Sequence, residues 1–235
     1  MTEPLFQADA YQNAIDSVIV SARDNVVELE TTVFYPTGGG QPGDTGRLIV
    51  AGQVLEVLDT RKGEQPGSIL HVLAAPHELA VGSAARAELD WPRRHRLMRM
   101  HTCLHLLCKA VDGVVTGGQI GDGKGRLDFD LPEATLDKEA LAEQLNAWIA
   151  GDHGLRSYWI EAAELDARPD LVRTMSVQPP RTGGRVRLVE IDGLDLQACG
   201  GTHVRSTREI GRVRIAKIEK KGRQNRRVQL VFDEA

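Results

Sequence analysis

The sequence is poor in cysteine and aromatic residues, and it contains no long hydrophobic run. Its 235 residues include 3 cysteines, and aromatic residues make up 4% of the chain. So few cysteines, in an odd number, do not form the disulfide framework of a small secreted domain. No stretch reaches the ~18 uninterrupted apolar residues of a membrane span, and residues 1–12 lack the features of a secretion signal. These absences predict a globular protein of the reducing cytoplasm, with no membrane partner.

Length and composition predict one large domain or two small ones. Hydrophobic residues make up 41% of the chain and charged residues 26%, which is ordinary for a globular protein. A domain usually has roughly 100–200 residues. A chain of this length can bury a core without disulfides or metal as staples. A metal site found here would therefore not be needed as scaffolding.

Residues 15–90 read as six short strand-like segments separated by turn residues. Asp-Asn, Ala-Gly and Pro-Gly pairs and a glycine run punctuate them. Many short strands at close spacing predict a small antiparallel β-barrel or sandwich.

The pattern becomes helical at Asp90. This residue can cap a helix, Pro92 fits its first turn, and apolar residues then recur at intervals of three and four until about Gly113. Glycine-rich turns are expected next. Further strands are predicted over 126–131, 157–161, 186–191, 213–220 and 226–232, with helices over 137–150 and 161–167. The chain is thus predicted to be α+β, with a β-barrel domain at 1–90 and an α+β domain at 91–235.

Two half-sites could together hold a metal ion. His101 and His105 are four residues apart on the predicted helix, so their side chains share one face. Cys199 and His203 are separated by two glycines and a threonine, which allow the backbone to bend the thiolate towards the imidazole. Three imidazoles and one thiolate are donors that suit Zn²⁺ in tetrahedral geometry. The histidine pair alone would be a weak signal, because such pairs are often merely packed.

The other two cysteines and the missing glutamate limit the possible chemistry. Cys103 falls on the opposite helix face from His101 and is expected in the core. Cys108 lies two turns beyond His101 on the metal face and is the rival ligand. No glutamate follows His101, so the HExxH mechanism of zinc peptidases is excluded.

A glycine-rich segment within residues 34–46 could approach a ligand closely. It contains Thr37, Gly38, Gly39, Gly40 and Gln41. Adjacent glycines can present backbone amides to a ligand, although a long hairpin turn is the simpler interpretation. The segment lacks the GK[ST] ending of a phosphate-binding loop, so no nucleotide cofactor is expected.

Charge is distributed unevenly along the chain. The net charge is −4, yet Arg205–Arg227 holds ten basic and two acidic residues. These cations alternate with apolar residues as in a strand, so several share one exposed face and favour a phosphate-bearing partner. In the predicted strand at 126–131, Arg126 and Asp128 could be structural or could touch a substrate.

Four motifs, in this order and spacing, resemble a known family. They are PTGGGQPGDTG, HTCLHLL, RLDF and CGGTHV. The set is similar to the AlaX alanyl-tRNA editing proteins, which are free-standing relatives of the alanyl-tRNA synthetase editing domain, and in particular to the medium-length members. The resemblance covers nearly the whole chain. Threonyl-tRNA synthetase editing domains share the histidine and CGGTH motifs, whereas PTGGGQ favours the alanine branch. The chain departs from the family pattern at Cys103, Cys108 and Leu127.

The resemblance implies an activity and the residues that carry it. The activity is zinc-dependent hydrolysis of the ester in tRNA(Ala) that wrongly carries serine or glycine. His101, His105, Cys199 and His203 would be the zinc ligands, and Thr37 with the loop Gly38–Gln41 would line the aminoacyl pocket. Lys220, Lys221 and Arg223 are expected to contact the tRNA backbone.

Several alternatives stay open. A zinc-stabilised RNA-binding module without catalysis would use the same ligands and the same basic end. Editing of another mischarged tRNA, or hydrolysis of a small ester, would also fit the metal site, although a small substrate has no use for the basic end. Four protein ligands close a tetrahedral site, so the zinc could be catalytic only by losing a ligand or expanding to five. Otherwise it would order the pocket. Thr37 is the candidate partner of the serine hydroxyl, with Thr31 and Thr32 as alternatives.

Overall fold

The computed structural model describes residues 1–131, 136–168, 171–172, 180–222 and 224–234. The chain divides into two compact units, Met1–His95 and Arg96–Ala235. The mixture of a β-barrel, further antiparallel sheets and three helices confirms the predicted α+β class. Within the described part of the chain, no helix is both long enough and apolar enough to cross a membrane.

The first unit contains a closed barrel. Its strands are β1 (Glu3–Pro4), β2 (Ala14–Arg23), β3 (Val26–Leu29), β4 (Thr31–Thr32), β5 (Gly46–Val50), β6 (Gln53–Lys62), β7 (Ile69–Leu73) and β8 (Ala84–Leu89). Six of them close in the order β2–β3–β7–β6–β5–β8, which confirms the predicted barrel. Every barrel pair is antiparallel. Alternating residues such as Ile19, Leu48 and Val57 point inwards and form the apolar core.

A buried ion pair connects the glycine-rich segment to the start of the first helix. Arg94 is fully buried, and its guanidinium binds both carboxylate oxygens of Asp44. The same guanidinium donates to the carbonyls of Val33 (2.8 Å) and Ala10 (3.1 Å). The backbone amide of Tyr35 donates to Asp44. The charge is therefore both paired and hydrogen-bonded, as a buried guanidinium requires.

His71 is buried inside the barrel with both ring nitrogens in use. Nε2 lies 2.8 Å from the Thr32 hydroxyl, and Nδ1 lies 3.1 Å from the carbonyl oxygen of Val27. Burial lowers the pKa of His71 to about 4, although the contact with the Val27 carbonyl opposes the shift. The imidazole is therefore neutral in the folded barrel at neutral pH.

We expect this histidine to make the barrel sensitive to acid. The folded-state pKa lies below the unfolded value of about 6.5. The free energy of unfolding therefore carries no penalty from His71 above that pH, and it falls as the pH drops towards 4. The loss should approach about 3 kcal/mol. Urea unfolding at a series of pH values measures it. The His71→Gln variant should show a flatter pH dependence than wild type, whereas the variant His77→Gln, at a half-buried site outside the barrel strands, should match wild type. Equal slopes for all three proteins would contradict the prediction.

The second unit is built from antiparallel sheets and helices. Its elements, with the helix that leads into it, are α1 (Trp91–Ala110), β9 (Val114–Gly121), β10 (Lys124–Asp130), α2 (Lys138–Ala150), β11 (Leu155–Glu161), α3 (Ala162–Asp166), β12 (Arg181–Thr182), β13 (Arg185–Ile191), β14 (Asp195–Ala198), β15 (Val213–Lys221) and β16 (Asn225–Phe232). One sheet has the order β15–β16–β10–β9. A second has the order β11–β13–β12, with β14 also paired to β13. The predicted helices are present, and Asp90 and Asp137 each accept a bond from a backbone amide three residues ahead.

The prediction of turns between Gly113 and Arg126 is wrong for most of that segment. Strand β9 occupies it and pairs with β10, and Gly118 lies opposite Leu127. A Cβ at Gly118 would come within 3.0 Å of a Leu127 methyl carbon. Glycine has low intrinsic strand propensity, but cross-strand packing decides such cases. Here glycine allows a close approach to the neighbouring strand.

Candidate metal centre

Four side chains of the second unit converge on one point. His101 and His105 lie one turn apart on α1, and Cys199 and His203 lie in the loop that follows β14. One potential ligand atom from each residue lies within 4.8 Å of the others. All three histidines are at least 93% buried. The structure thus brings together the two half-sites predicted from the sequence, in a cluster that could hold a metal ion.

The cysteine sulfur is close to two imidazole nitrogens. Cys199 Sγ lies 3.3 Å from Nε2 of His203 and 3.5 Å from Nε2 of His101. The third ring, of His105, has its centroid 4.5 Å from that of His203. Both contacting histidines therefore turn Nε2 towards the thiol.

The electrostatics of the cluster favour the protonation states of metal ligands at Cys199 and His203, but not at His105. Burial alone would lower the pKa of His105, yet Cys199 and Asp195 raise it to about 9. Burial alone would raise the pKa of the Cys199 thiol, but the three facing imidazoles hold it well below its usual value. Burial, reinforced by neighbouring His101, lowers the pKa of His203 well below its usual value. A thiolate and a neutral imidazole are the forms that bind a cation.

A hydroxyl orients one of the rings. The Thr102 Oγ1 atom lies 3.1 Å from Nδ1 of His203, in a fully buried position. When Nε2 of His203 serves as a ligand, the proton resides on Nδ1 and is donated to Thr102. Sequence reasoning did not assign Thr102 a role, because its partner His203 lies 101 residues further along the chain.

A carboxylate lies behind another ring. Asp195 Oδ2 is 3.7 Å from Nδ1 of His105, and it accepts a 2.6 Å bond from the Gln197 amide. Both Asp195 and Gln197 are buried on β14. A carboxylate on the far nitrogen of a histidine commonly supports metal ligation. Sequence reasoning missed this residue because no periodic pattern connects it to α1.

The remaining cysteines lie outside the cluster. Cys103 is completely buried, and burial raises the pKa of its thiol to about 12, in agreement with the predicted core position. Cys108 is also buried, and the described metal cluster does not include it. The geometry therefore favours Cys199 over the rival ligand.

The glycine-rich segment of the first unit forms a tight turn. Gly38 and Gln41 exchange two backbone hydrogen bonds of 3.0 and 2.9 Å, while Gly39 and Gly40 have φ values of +57° and +82°. Two successive positive φ angles define the turn type that favours glycine at both central positions. The hairpin-turn interpretation therefore describes the local geometry. In the described part of the chain, the Gly39 and Gly40 amides donate to no protein acceptor.

The threonines near this turn differ in their surroundings. Thr37 is exposed, and its hydroxyl donates to the Thr60 carbonyl at 3.3 Å and accepts from the Gly43 amide at 2.8 Å. Thr32 is completely buried against His71. The Thr31 hydroxyl lies 3.1 Å from that of Ser17.

Arg126 and Asp128 belong to an ion-pair cluster. Asp128 accepts two bonds from Arg227, at 2.7 and 2.8 Å, and one from Arg126 at 2.7 Å. These arginines hold the pKa of Asp128 below its usual value, with the Arg227 hydrogen bond as the main cause. The contacts join β10 to β16 and give both residues a structural role.

The basic end forms part of β15 and the turn after it. Lys221 lies 3.9 Å from Glu219, which also binds Lys217 at 2.7 Å. Lys220 is exposed, and no carboxylate among the described residues comes within ion-pair distance of it. Arg223 lies outside the described residues. Several cations of the run are thus neutralised locally, while Lys220 remains available to a partner.

Comparison with known proteins gives consistent matches. Residues 186–229 match the family described as threonyl and alanyl tRNA synthetase second additional domain, and residues 5–93 match class II (A) tRNA synthetases. The chain is 35% identical to "Alanyl-tRNA editing protein AlaX-M" of Methanosarcina acetivorans, covering 97% of this chain and 98% of the relative. The protein of that name from Saccharolobus solfataricus gives the same identity and coverage. "Alanine--tRNA ligase" of Saccharolobus islandicus is 32% identical, over 93% of this chain and 25% of its own length.

Proposed function

The chain belongs to the family of AlaX-M alanyl-tRNA editing proteins, and from this premise we propose that it deacylates tRNA(Ala) wrongly charged with serine or glycine. The observation that carries the proposal is the convergence of His101, His105, Cys199 and His203 within 4.8 Å. A tRNA substrate also accords with a cytoplasmic location. The ester is already activated, so its hydrolysis needs no nucleotide cofactor.

Zn²⁺ is the ion that best fits the donor set. In a tetrahedral zinc site, with Zn–N near 2.1 Å and Zn–S near 2.3 Å, the ligand atoms lie roughly 3.3–3.7 Å apart. The Cys199 sulfur lies 3.3 and 3.5 Å from two imidazole nitrogens, close to that spacing. When bound, zinc supplies a Lewis acid that can polarise an ester or anchor the substrate amine. His101, His105, Cys199 and His203 would together hold the ion.

The chain itself would supply orientation and oxyanion stabilisation. Hydrolysis of an aminoacyl ester needs chiefly a positioned water and donors for the developing negative charge. The Gly39 and Gly40 amides, which donate to no protein acceptor among the described residues, would be two such donors. We assign the aminoacyl pocket to this turn, from Thr37 to Gln41.

The proposed function is tested by deacylation of matched substrates. Purified protein is incubated with Ser-tRNA(Ala), Gly-tRNA(Ala) and correctly charged Ala-tRNA(Ala), each with and without a chelator. We expect rapid release of serine and glycine, little release of alanine, and loss of activity in chelator. Binding of tRNA without turnover would instead indicate an RNA-binding module. Turnover confined to another mischarged tRNA would overturn the assignment to tRNA(Ala).

The basic end gives a prediction about tRNA affinity. Replacing Lys220, Lys221 and Arg223 with alanine should weaken tRNA binding and flatten its salt dependence. Each lost phosphate contact lowers the slope of log affinity against log salt by roughly 0.7–0.9. Filter binding at several salt concentrations measures the slope.

A matched triple variant separates contact from net charge. Arg212, Arg214 and Lys217 lie on the same strand or beside it, and all three lie 2.7–3.8 Å from Asp233 or Glu219. In the first triple, Lys221 lies 3.9 Å from Glu219, and Lys220 has no carboxylate within ion-pair distance among the described residues. Replacing Arg212, Arg214 and Lys217 with alanine removes the same charge but should change the slope less. An unchanged slope in the first triple variant would show that its three cations form only a solvated face.

A further inference from the structure

A buried arginine holds the backbone that carries half of the metal cluster. Arg187 lies on β13 and is 7% exposed. Its Nη1 atom donates to the Gly201 carbonyl at 2.9 Å and to the Cys199 carbonyl at 3.2 Å. The Cys199 amide donates in return to the Arg187 carbonyl at 3.0 Å. Both sides of Cys199 are therefore bound to a single residue of the neighbouring strand.

The loop needs such a restraint because its own sequence does little to limit the backbone conformation. Gly200 and Gly201 have no side chains to limit the backbone, and glycine loses the most conformational freedom on folding. With the loop held by Arg187, the Gly201 amide points towards Cys199 Sγ at a distance of 3.4 Å. That contact favours the thiolate and fixes the direction of the sulfur.

We propose that Arg187 is a positioning residue of the metal centre, which sets the Cys199–His203 loop in ligand geometry before the ion arrives. The inference rests on the proposed function only in that the cluster binds zinc. Because its hydrogen bonds to the Cys199 and Gly201 carbonyls restrain the loop backbone, the arginine acts through the loop. Its counterpart on α1 is Thr102, which orients the His203 ring.

The shape of the guanidinium suits this task better than that of an ammonium. Its planar fork presents donors in fixed directions, and one of them, Nη1, reaches the carbonyls of both Cys199 and Gly201. A lysine carries the same charge as a compact, flexible point. Arg187→Lys should therefore keep the buried charge and lose the restraint, while Arg187→Met loses both.

Competition titration against a zinc chelator measures the effect on affinity. We expect both Arg187 variants to bind Zn²⁺ roughly 10–100-fold more weakly than wild type, the range found when groups behind metal ligands are removed. The control is Arg185→Met on the same strand, where the exposed guanidinium lies 5.8 Å from the Trp159 ring. It should bind zinc like wild type. In the Co²⁺-substituted proteins, the thiolate absorption should weaken or shift only for Arg187 variants.

A purely structural role for Arg187 predicts a different result. The metal-free Arg187→Lys protein would then melt at a lower temperature, yet its folded form would bind zinc as tightly as wild type, which would overturn the inference. Absence of zinc binding by the wild-type protein would overturn it as well. Failure of the proposed function would give a different result: the wild-type protein would bind zinc but would not release serine from Ser-tRNA(Ala).

Discussion

Replacing Cys199 with alanine is expected to remove zinc from the purified protein and to abolish release of serine from Ser-tRNA(Ala). Cys199 supplies the thiolate of the cluster, and its pKa is held well below the usual value by the surrounding imidazoles despite burial. Loss of a ligand should cost more than the roughly 10–100-fold lost when a supporting group is removed. Metal analysis and a deacylation assay on the same preparation give the two measurements.

A second thiol of the chain provides the matched control. Cys108 lies on α1, which also carries two proposed ligands, but outside the described cluster. Cys108→Ala should therefore retain one zinc per chain and its activity, with only a modest loss of stability from the small buried cavity. His105→Ala should behave like Cys199→Ala. Full stoichiometric zinc in both the His105 and Cys199 variants would refute the ligand assignment.

The metal half-sites could be predicted because each depends on local geometry. A spacing of four places His101 and His105 on one helix face, and two glycines let Cys199 and His203 approach each other. The meeting of the two halves, 98 residues apart between His101 and Cys199, is not fixed by local geometry. The resemblance and the donor chemistry supplied that step, and the described cluster agrees with it.

The supporting groups could not be predicted, because their partners depend on tertiary structure. Arg187 acts through two backbone carbonyls and Thr102 through a distant ring nitrogen, and none of these contacts leaves a pattern in the sequence. Asp128 faces Arg227 only because β10 and β16 pair in one particular register. Strand β9 was not predicted either, because its glycines favour a strand only through their pairing with the neighbouring strand β10.

The barrel was predictable from alternation, whereas the pair formed by Arg94 and Asp44 was not. Inward and outward positions alternate along the strands, so the apolar face is visible in the sequence. A guanidinium with no exposure contradicts the usual expectation for a charged residue near other cations. It is stabilised by a carboxylate and two carbonyls that become neighbours only after folding.

Selection of serine over alanine is expected to depend on the one hydrogen-bond acceptor position that the Thr37 hydroxyl has left. A threonine hydroxyl has one donor and two acceptor positions. That of Thr37 donates to Thr60 and accepts from Gly43, so one acceptor position is left. A serine hydroxyl entering the pocket would then donate to Thr37. Alanine offers no such donor, so the alanyl ester lacks one hydrogen bond that the seryl ester makes with Thr37.

Thr37→Val tests this arrangement, because valine keeps the shape and removes the acceptor. We expect kcat/KM for Ser-tRNA(Ala) to fall roughly 5–150-fold, which corresponds to about 1–3 kcal/mol of lost transition-state stabilisation. Zinc content and tRNA affinity should persist. Since valine also deprives the Gly43 amide of its acceptor, Thr37→Ser is the matched control that keeps both bonds and should retain selectivity. The measurement compares Ser-tRNA(Ala) with Ala-tRNA(Ala) for all three proteins. An unchanged ratio in Thr37→Val would place selection at another residue, with Thr31 and Gln41 next, because the Thr32 hydroxyl already binds His71 inside the barrel.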